Sequence, residues 1–215
     1  MAKQLIIALR TTLVLLLIVS GLYPLVVWGI AKVVFPHQAE GSLIRDTGGK
    51  VIGSEILAQG FARPEYFHPR PSAAGNGYDP TQSSGTNLGP TSDKLINGIH
   101  KKLPNGKDDP GNFDGVKDLV AAYRTENKLA ADAPVPSDAV TRSASGLDPD
   151  ISVPNADLQA ARVAGARGTN TETITQVIAE NTKGATLGFL GVPTVNVLLL
   201  NRALDAKYPV KKAKS

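Results

Sequence analysis

Residues 11–31 read TTLVLLLIVSGLYPLVVWGIA, a run without a charge, closed by Arg10 on one side and Lys32 on the other. At about 1.5 Å rise per residue, a helix over this run spans roughly 30 Å, the hydrocarbon thickness of a bilayer. No comparable stretch follows in the 215 residues. The architecture this dictates is a single transmembrane helix over 11–31 carrying one polar domain over 32–215. A cleaved signal peptide is the competing reading, with an apolar core of about 7–15 residues and a small-residue cleavage site. The run here is longer and ends in Trp28-Gly29-Ile30-Ala31-Lys32-Val33-Val34-Phe35-Pro36, without an A-x-A pattern. Trp28 and Phe35 suit the aromatic belt of a membrane interface. Pro24 is tolerated inside a spanning helix, where it introduces a kink. Lys3, Arg10 and the terminal amine precede the helix, so the positive-inside bias puts residues 1–10 in the cytoplasm and the domain outside it.

The remainder is long enough for one domain with its own core. A composition of 42% hydrophobic and 5% aromatic residues argues against wholesale disorder. The chain has no cysteine, which excludes disulfides, thiolate metal sites and cysteine nucleophiles. The net charge of +4 is mild, and the basic residues gather at the tail as Lys207, Lys211, Lys212 and Lys214. Nucleic-acid binding calls for a denser basic stripe with aromatics interleaved, so the tail reads as a solvated end.

Beyond the anchor, His37–Ser42 reads as a linker. Ser42–Arg45 and Val51–Ser54 read as two strands joined by a turn, with Gly48-Gly49 supplying the positive φ of a tight hairpin. Residues 60–92, GFARPEYFHPRPSAAGNGYDPTQSSGTNLGPTS, have few aliphatics; a loop this long is functional or disordered. Its aromatics, Phe61, Tyr66, Phe67 and Tyr78, favour an ordered surface loop. Residues 101–115 have the composition of a mobile insertion. Helices are predicted over Val116–Ala130, Ala156–Arg167 and from Thr171 to just before Lys183. The apolar run Val195–Leu200 reads as a central, buried strand, followed by a final helix over Asn201–Lys207. Helices and strands mix without a regular alternation, so the fold class is α+β.

Candidate chemistry is sparse. Ser143–Asp150, SASGLDPD, offers hydroxyls and carboxylates for a cation or phosphate, yet the same composition makes an ordinary Ser/Asp turn. Gly48-Gly49-Lys50-Val51 is no phosphate loop, because Ile44 and Val51 stand where that motif needs Gly and Ser or Thr. His37, His68 and His100 are too scattered for a helical metal pair. No Gly-x-Ser-x-Gly elbow supports serine catalysis. Arg63, Arg70, Arg162 and Arg167 either pair with surface carboxylates or bind an anionic group or a protein. On residues alone, this is an anchored binding or assembly subunit with no visible enzyme.

Several stretches together carry a resemblance. Tyr23-Pro24, Gly41-Ser42-Leu43-Ile44, Gly53-Ser54, Tyr66-Phe67-His68-Pro69-Arg70-Pro71-Ser72-Ala73, Ser83-Ser84-Gly85-Thr86-Asn87-Leu88, Val135-Pro136, Ser145-Gly146-Leu147-Asp148-Pro149, Arg162-Val163-Ala164 and Val195–Asn201 occur in order. From the anchor to about Leu204 the chain resembles the C subunits (KdpC) of the Kdp high-affinity potassium-transporting ATPases. The resemblance implies a single-pass accessory subunit in a bacterial inner membrane. It would be needed for assembly and would act as a catalytic chaperone that raises the ATP affinity of the ATPase subunit. The implied partners are a potassium-binding, channel-like subunit, a P-type ATPase subunit and membrane lipid, with no nucleic acid. The chain itself would be non-catalytic, with no cofactor or metal of its own and ATP only in the complex. It lacks an Asp-Lys-Thr-Gly phosphorylation motif, since Asp93-Lys94 continues as Leu95-Ile96, and it lacks a Thr-Val-Gly-Tyr-Gly-like filter. A nucleotide contact carried over from the family maps to Gln159, which the predicted topology places outside the cytoplasm. Residues 101–115 exceed the usual family spacing.

The alternative is a stand-alone, membrane-anchored solute-binding or enzymatic domain. For the complex, two interface sets follow. Ser20, Gly21 and Gly29 are small residues through which the anchor would pack against partner helices. The loop Phe61–Leu88 would face partner subunits through Tyr66, Phe67 and Arg70, the same residues otherwise bracing the loop within its own domain.

Overall fold

The apolar run continues upstream as helix. In the computed structural model, which describes residues 1–210, helix α1 is continuous over Ala2–Val34. Residues 2–10 are good helix formers, so Arg10 interrupts the uncharged run but not the backbone. Thirty-three residues rise about 50 Å, more than a bilayer core requires. Pro24 lacks an N–H, and the turn before it widens to a π-helix over Leu17–Leu22. There the Tyr23 N–H reaches back five residues to the Ile18 carbonyl. None of the apolar side chains of α1 is buried within the chain.

The chain divides into two compact units, Met1–Ser54 and Glu55–Ser215. The boundary between them falls after the hairpin and not at residue 32. In the first unit a single helical turn, Pro36–Ala39, replaces the expected linker. The hairpin forms as predicted from β1 (Leu43–Arg45) and β2 (Val51–Ser54), antiparallel, with a bulge between Ile44 and Arg45. Its turn is closed by Asp46, whose Oδ1 accepts the N–H groups of Gly48 and Lys50 at 2.9 Å each, and Gly49 takes φ +81°. The tail residues Lys211, Lys212 and Lys214 lie outside the described residues.

The second unit is built on helices α2 (Asp93–Asn97), α3 (Val116–Glu126), α4 (Val153–Arg167), α5 (Thr171–Glu180) and α6 (Val197–Lys207). Strands β3 (Asp150–Ser152), β4 (Thr182–Lys183) and β5 (Thr194–Asn196) make a short antiparallel sheet in the order β3-β5-β4. Mixed helix and sheet after one N-terminal apolar helix is the class that the sequence predicts. Helix starts follow side-chain caps. Ser152, Asn170 and Asn196 each accept the N–H three residues on. Helix α4 ends at Gly168 in the left-handed region.

One expectation is corrected. Val195–Leu200 is not one strand, because the strand stops at Asn196 and Val197–Leu200 open α6. A short apolar run does not by itself separate strand from buried helix. Asn196 decides it, its Oδ1 capping the Leu199 N–H, and three leucines then favour helix. Val197, Leu200 and Leu204 are buried at helical spacing, while Val195 sits at the centre of the sheet. Helix α3 likewise ends at Glu126, short of Ala130, and α4 begins at Val153, ahead of Ala156.

The main core joins Ile151, Val195 and the inner faces of α4, α5 and α6 to Phe67. A smaller cluster packs Tyr123 of α3 against Ala139 and Val140. Residues 101–115 form a narrow hairpin, in which Lys102 bridges Asp108 and the Leu103 N–H donates to the Lys107 carbonyl at 2.8 Å.

Candidate functional site

Within the second unit, stretches distant in sequence that carry the resemblance, among them residues 66–73, 83–88, 145–149, 162–164 and 195–201, converge in space. Residues 55–92 contain no helix or strand, so their backbone groups must find partners elsewhere. Some find them on the backbone of turns and of residues 145–147, and those at residues 64–68 find them largely on side chains. The Phe67 N–H donates to Asn201 Oδ1 at 2.8 Å, and Asn201 Nδ2 donates back to the Phe67 carbonyl at 3.0 Å. One residue on, the His68 N–H donates to Gln159 Oε1 at 2.8 Å and Gln159 Nε2 returns a bond to the His68 carbonyl at 3.1 Å. Two amides, one on α4 and one on α6, thus pair the N–H and the carbonyl of two consecutive residues. The Phe67 ring then drops into the core at 0% exposure.

Gln159 is fully committed. Its Oε1 also accepts Arg162 Nη2 at 2.7 Å, and its Nε2 also donates to Asn155 Oδ1 at 3.0 Å. Both lone-pair positions and both N–H groups are spent, and the residue is 1% exposed. The carried-over nucleotide contact at Gln159 therefore has no hydrogen-bonding group to offer in this arrangement.

The two arginines on α4 divide their donors between backbone carbonyls and side chains. Arg162 Nη1 donates to the carbonyls of Pro64 and Tyr66, both at 2.8 Å, and its Nε to Asn127 Oδ1 at 3.0 Å. Arg167, its side chain fully enclosed, donates to the carbonyls of Glu65 and Tyr208 at 2.8 Å and to Asp205 at 2.9 Å. Arg162 and Arg167 thus bind residues 64–66 rather than presenting free cations. The Tyr66 hydroxyl accepts from Arg63 and donates to Asp205 at 3.0 Å, and burial followed by that carboxylate pushes its pKa up.

His68 and Glu126 close the near side of the web. Nδ1 of His68 stands 2.7 Å from Glu126 Oε1, and its Nε2 stands 3.1 Å from the Arg63 carbonyl. The His68 hydrogen bond holds the Glu126 carboxyl below its ordinary value against the opposing effect of partial burial, with Arg162 adding a smaller pull.

Ser143–Asp150 forms the other wall, folded as a turn. Asp148 Oδ1 accepts the Asp150 N–H, Ser145 Oγ accepts the Leu147 N–H, and Gly146 takes φ +69°. Its outer face receives the loop. Ser72 Oγ donates to the Gly146 carbonyl at 2.7 Å, and the Ser84 N–H donates to the Ser145 carbonyl at 2.9 Å. Arg70 pairs with Asp148 Oδ2 at 2.9 Å. A Cβ on Gly85 would lie 2.8 Å from the Ala144 carbonyl, and one on Gly146 would lie 2.6 Å from the Ser84 carbonyl. Both glycines are needed for this close approach. The Tyr78 hydroxyl donates to the Arg70 carbonyl at 2.8 Å, and burial pushes its pKa up to about 12.

Tyr66, Phe67 and Arg70 are therefore all tied to their own domain. Phe67 lies inside the core, whereas Tyr66 and Arg70 keep part of their surface. Gly21 of α1 leaves open space where a side chain would stand. His100, Asp114 and Asp118 lie together at the start of α3, with His100 Nε2 2.9 Å from Asp118 Oδ2. That oxygen already accepts the Gly115 N–H, and we assign no ion to the group. The amide clamps were missed from sequence because they join residues 91 and 134 positions apart; the only local signal was Gln and Asn at positions patterned for a core.

One N-terminal helix long and apolar enough to cross a bilayer, followed by a domain of mixed helix and sheet whose long loop is tied down by buried side chains, is the class of protein that the fold defines. Residues 5–206 match the family model described as K+-transporting ATPase, c chain. A protein of Caulobacter vibrioides is 52% identical over 187 residues, covering 87% of this chain and 85% of that one. One of Beijerinckia indica is 48% identical over 202 residues, covering 94% and 93%, and one of Mycobacterium tuberculosis is 47% identical over 205 residues, covering 95% and 99%. All three are named as the KdpC subunit of a potassium-transporting ATPase. The chain belongs to the KdpC family.

Proposed function

We propose that this chain is the single-pass, non-catalytic C subunit of an ATP-driven potassium uptake complex in a bacterial inner membrane. The observation that carries the proposal is the family match over residues 5–206, which takes in the apolar helix and the domain together. Its partners are a potassium-binding, channel-like subunit and a P-type ATPase subunit. Residues 1–10 face the cytoplasm and the domain lies outside, on the charge asymmetry of Lys3 and Arg10. The subunit serves assembly and raises the ATP affinity of the ATPase subunit. With the Gln159 amide saturated, the effect on ATP runs through contacts between subunits and not through a nucleotide held at that residue.

Purifying the complex with and without this chain tests the reading. The expected outcome without it is loss of assembled complex, or a raised KM for ATP in what remains. Normal potassium transport and normal ATP affinity without the chain would overturn the role. A cytoplasm-only reporter fused after Ser215 should be silent, and its activity would reverse the topology.

A further inference from the structure

The loop between β4 and β5 exposes what a folded domain ordinarily hides. Leu187, Phe189, Leu190 and Val192 are 77%, 74%, 52% and 69% exposed. The loop is nonetheless built. The Thr186 N–H and the Leu190 carbonyl bond at 2.9 Å, and the Leu190 N–H returns the bond at the same distance. This leaves Leu187-Gly188-Phe189 as a tight tip. Gly188 and Gly191 take φ +83° and +86°, and Leu187, a γ-branched residue, is also left-handed at φ +55°. A strained backbone that turns a leucine into water disfavours folding twice over, by strain and by exposure. Such a feature points to function outside the fold.

Beside the tip runs a groove of about 750 Å³, lined by Val153, Pro154, Ala179, Val192 and Pro193, with Asp157 its one charged residue. Residues 184–193 carry no charge, and only Lys183 flanks them. A bilayer surface is a poor match for this pattern. Anionic headgroups attract clusters of Lys and Arg and repel a carboxylate, and a flat headgroup layer has nothing to fill a groove. An uncharged, shaped protein surface fits both the projecting tip and the recess next to it.

We propose that the 184–193 tip and the adjoining groove are the surface by which this domain docks on an uncharged, apolar segment of another protein subunit of its complex. Phe189 and Leu187 are the projecting anchors. This rests on the subunit reading above and adds to it the face that is used.

The test uses the full chain co-expressed with the other subunits of its complex. A photoreactive benzophenone side chain at position 189 should crosslink to another subunit polypeptide. The Leu187→Asn, Phe189→Ser double variant should lower co-purified subunits at least tenfold while leaving the chain's own thermal midpoint unchanged or higher. Crosslinks only to lipid, only to a second copy of this chain, or to nothing overturn the proposal, as does wild-type recovery of the double variant. Should the unaltered chain itself fail to co-purify with any subunit, the subunit reading falls and this proposal falls with it. Should the unaltered chain co-purify and the crosslink miss, only the docking face is lost.

Discussion

Two glycine-rich loops in the domain treat their apolar side chains in opposite ways. Between Phe61 and Leu88 the chain has no regular structure, yet Phe67 and Ala74 are completely buried. Between Lys183 and Thr194 a bonded turn holds Leu187 and Phe189 in solvent. The first loop is pulled inward by side-chain amides and guanidinium groups on α4 and α6, which supply the backbone partners that a strand would have supplied. The second is closed on itself, so nothing draws its apolar groups toward the core. What separates them is where the backbone hydrogen bonds go.

That contrast can be broken most forcefully at Phe67. Phe67→Ala empties a filled core position and should cost about 3–5 kcal/mol, read as a large fall in thermal midpoint of the membrane-extracted chain. A change below about 1 kcal/mol would show that the loop does not depend on its buried ring. Next come the clamps. Asn201→Ala or Gln159→Leu leaves a buried N–H and a buried carbonyl without partners, at about 1–3 kcal/mol for each group stranded. Amide exchange at Phe67 in the first variant, or at His68 in the second, should accelerate selectively. Uniform acceleration across the domain would mean that the clamp is not local.

Acid gives a smaller effect with a fixed sign. Glu126 has a folded-state pKa below its ordinary value, held there first by the hydrogen bond from His68. The stability it contributes is complete above the ordinary carboxyl value of about 4.3 and is lost as pH falls through the depressed folded value. The wild-type urea midpoint should therefore drop more steeply between about pH 5 and pH 3 than that of Glu126→Gln. Equal slopes would remove Glu126 from the account. Smallest of all, Leu187→Asn should change stability by less than about 0.5 kcal/mol in either direction, because Asn tolerates the left-handed backbone and no core contact is lost. A loss of 2 kcal/mol or more would make the exposed tip structural.

The apolar helix was legible because twenty-one uncharged residues permit few other structures. The hairpin was legible from Asp46 to Lys50, and α5 from the spacing of Ile174, Val177 and Ile178, because these signals are local. The junction of β5 and α6 was misread, since the apolar run outweighed the cap at Asn196. The resemblance brought the right stretches to notice without saying what they do for one another. Ser72, Ser84 and Gly146 meet across more than sixty positions of chain, and their contacts depend on a fold that local pattern does not encode. The 184–193 tip drew no attention, although two glycines among exposed aliphatics were its signal.

The paired amides at Phe67 and His68 have a mechanical consequence. Consecutive residues are fastened to different helices, Phe67 to α6 through Asn201 and His68 to α4 through Gln159, so the peptide group between them is bonded to both. The stretch of chain between them works as a tie bar, setting the spacing and the register of two elements that share only part of their surface. A slide of one helix past the other by a single turn, about 5.4 Å, would shear all four hydrogen bonds at once. Load applied to either helix is carried across as tension in one peptide unit.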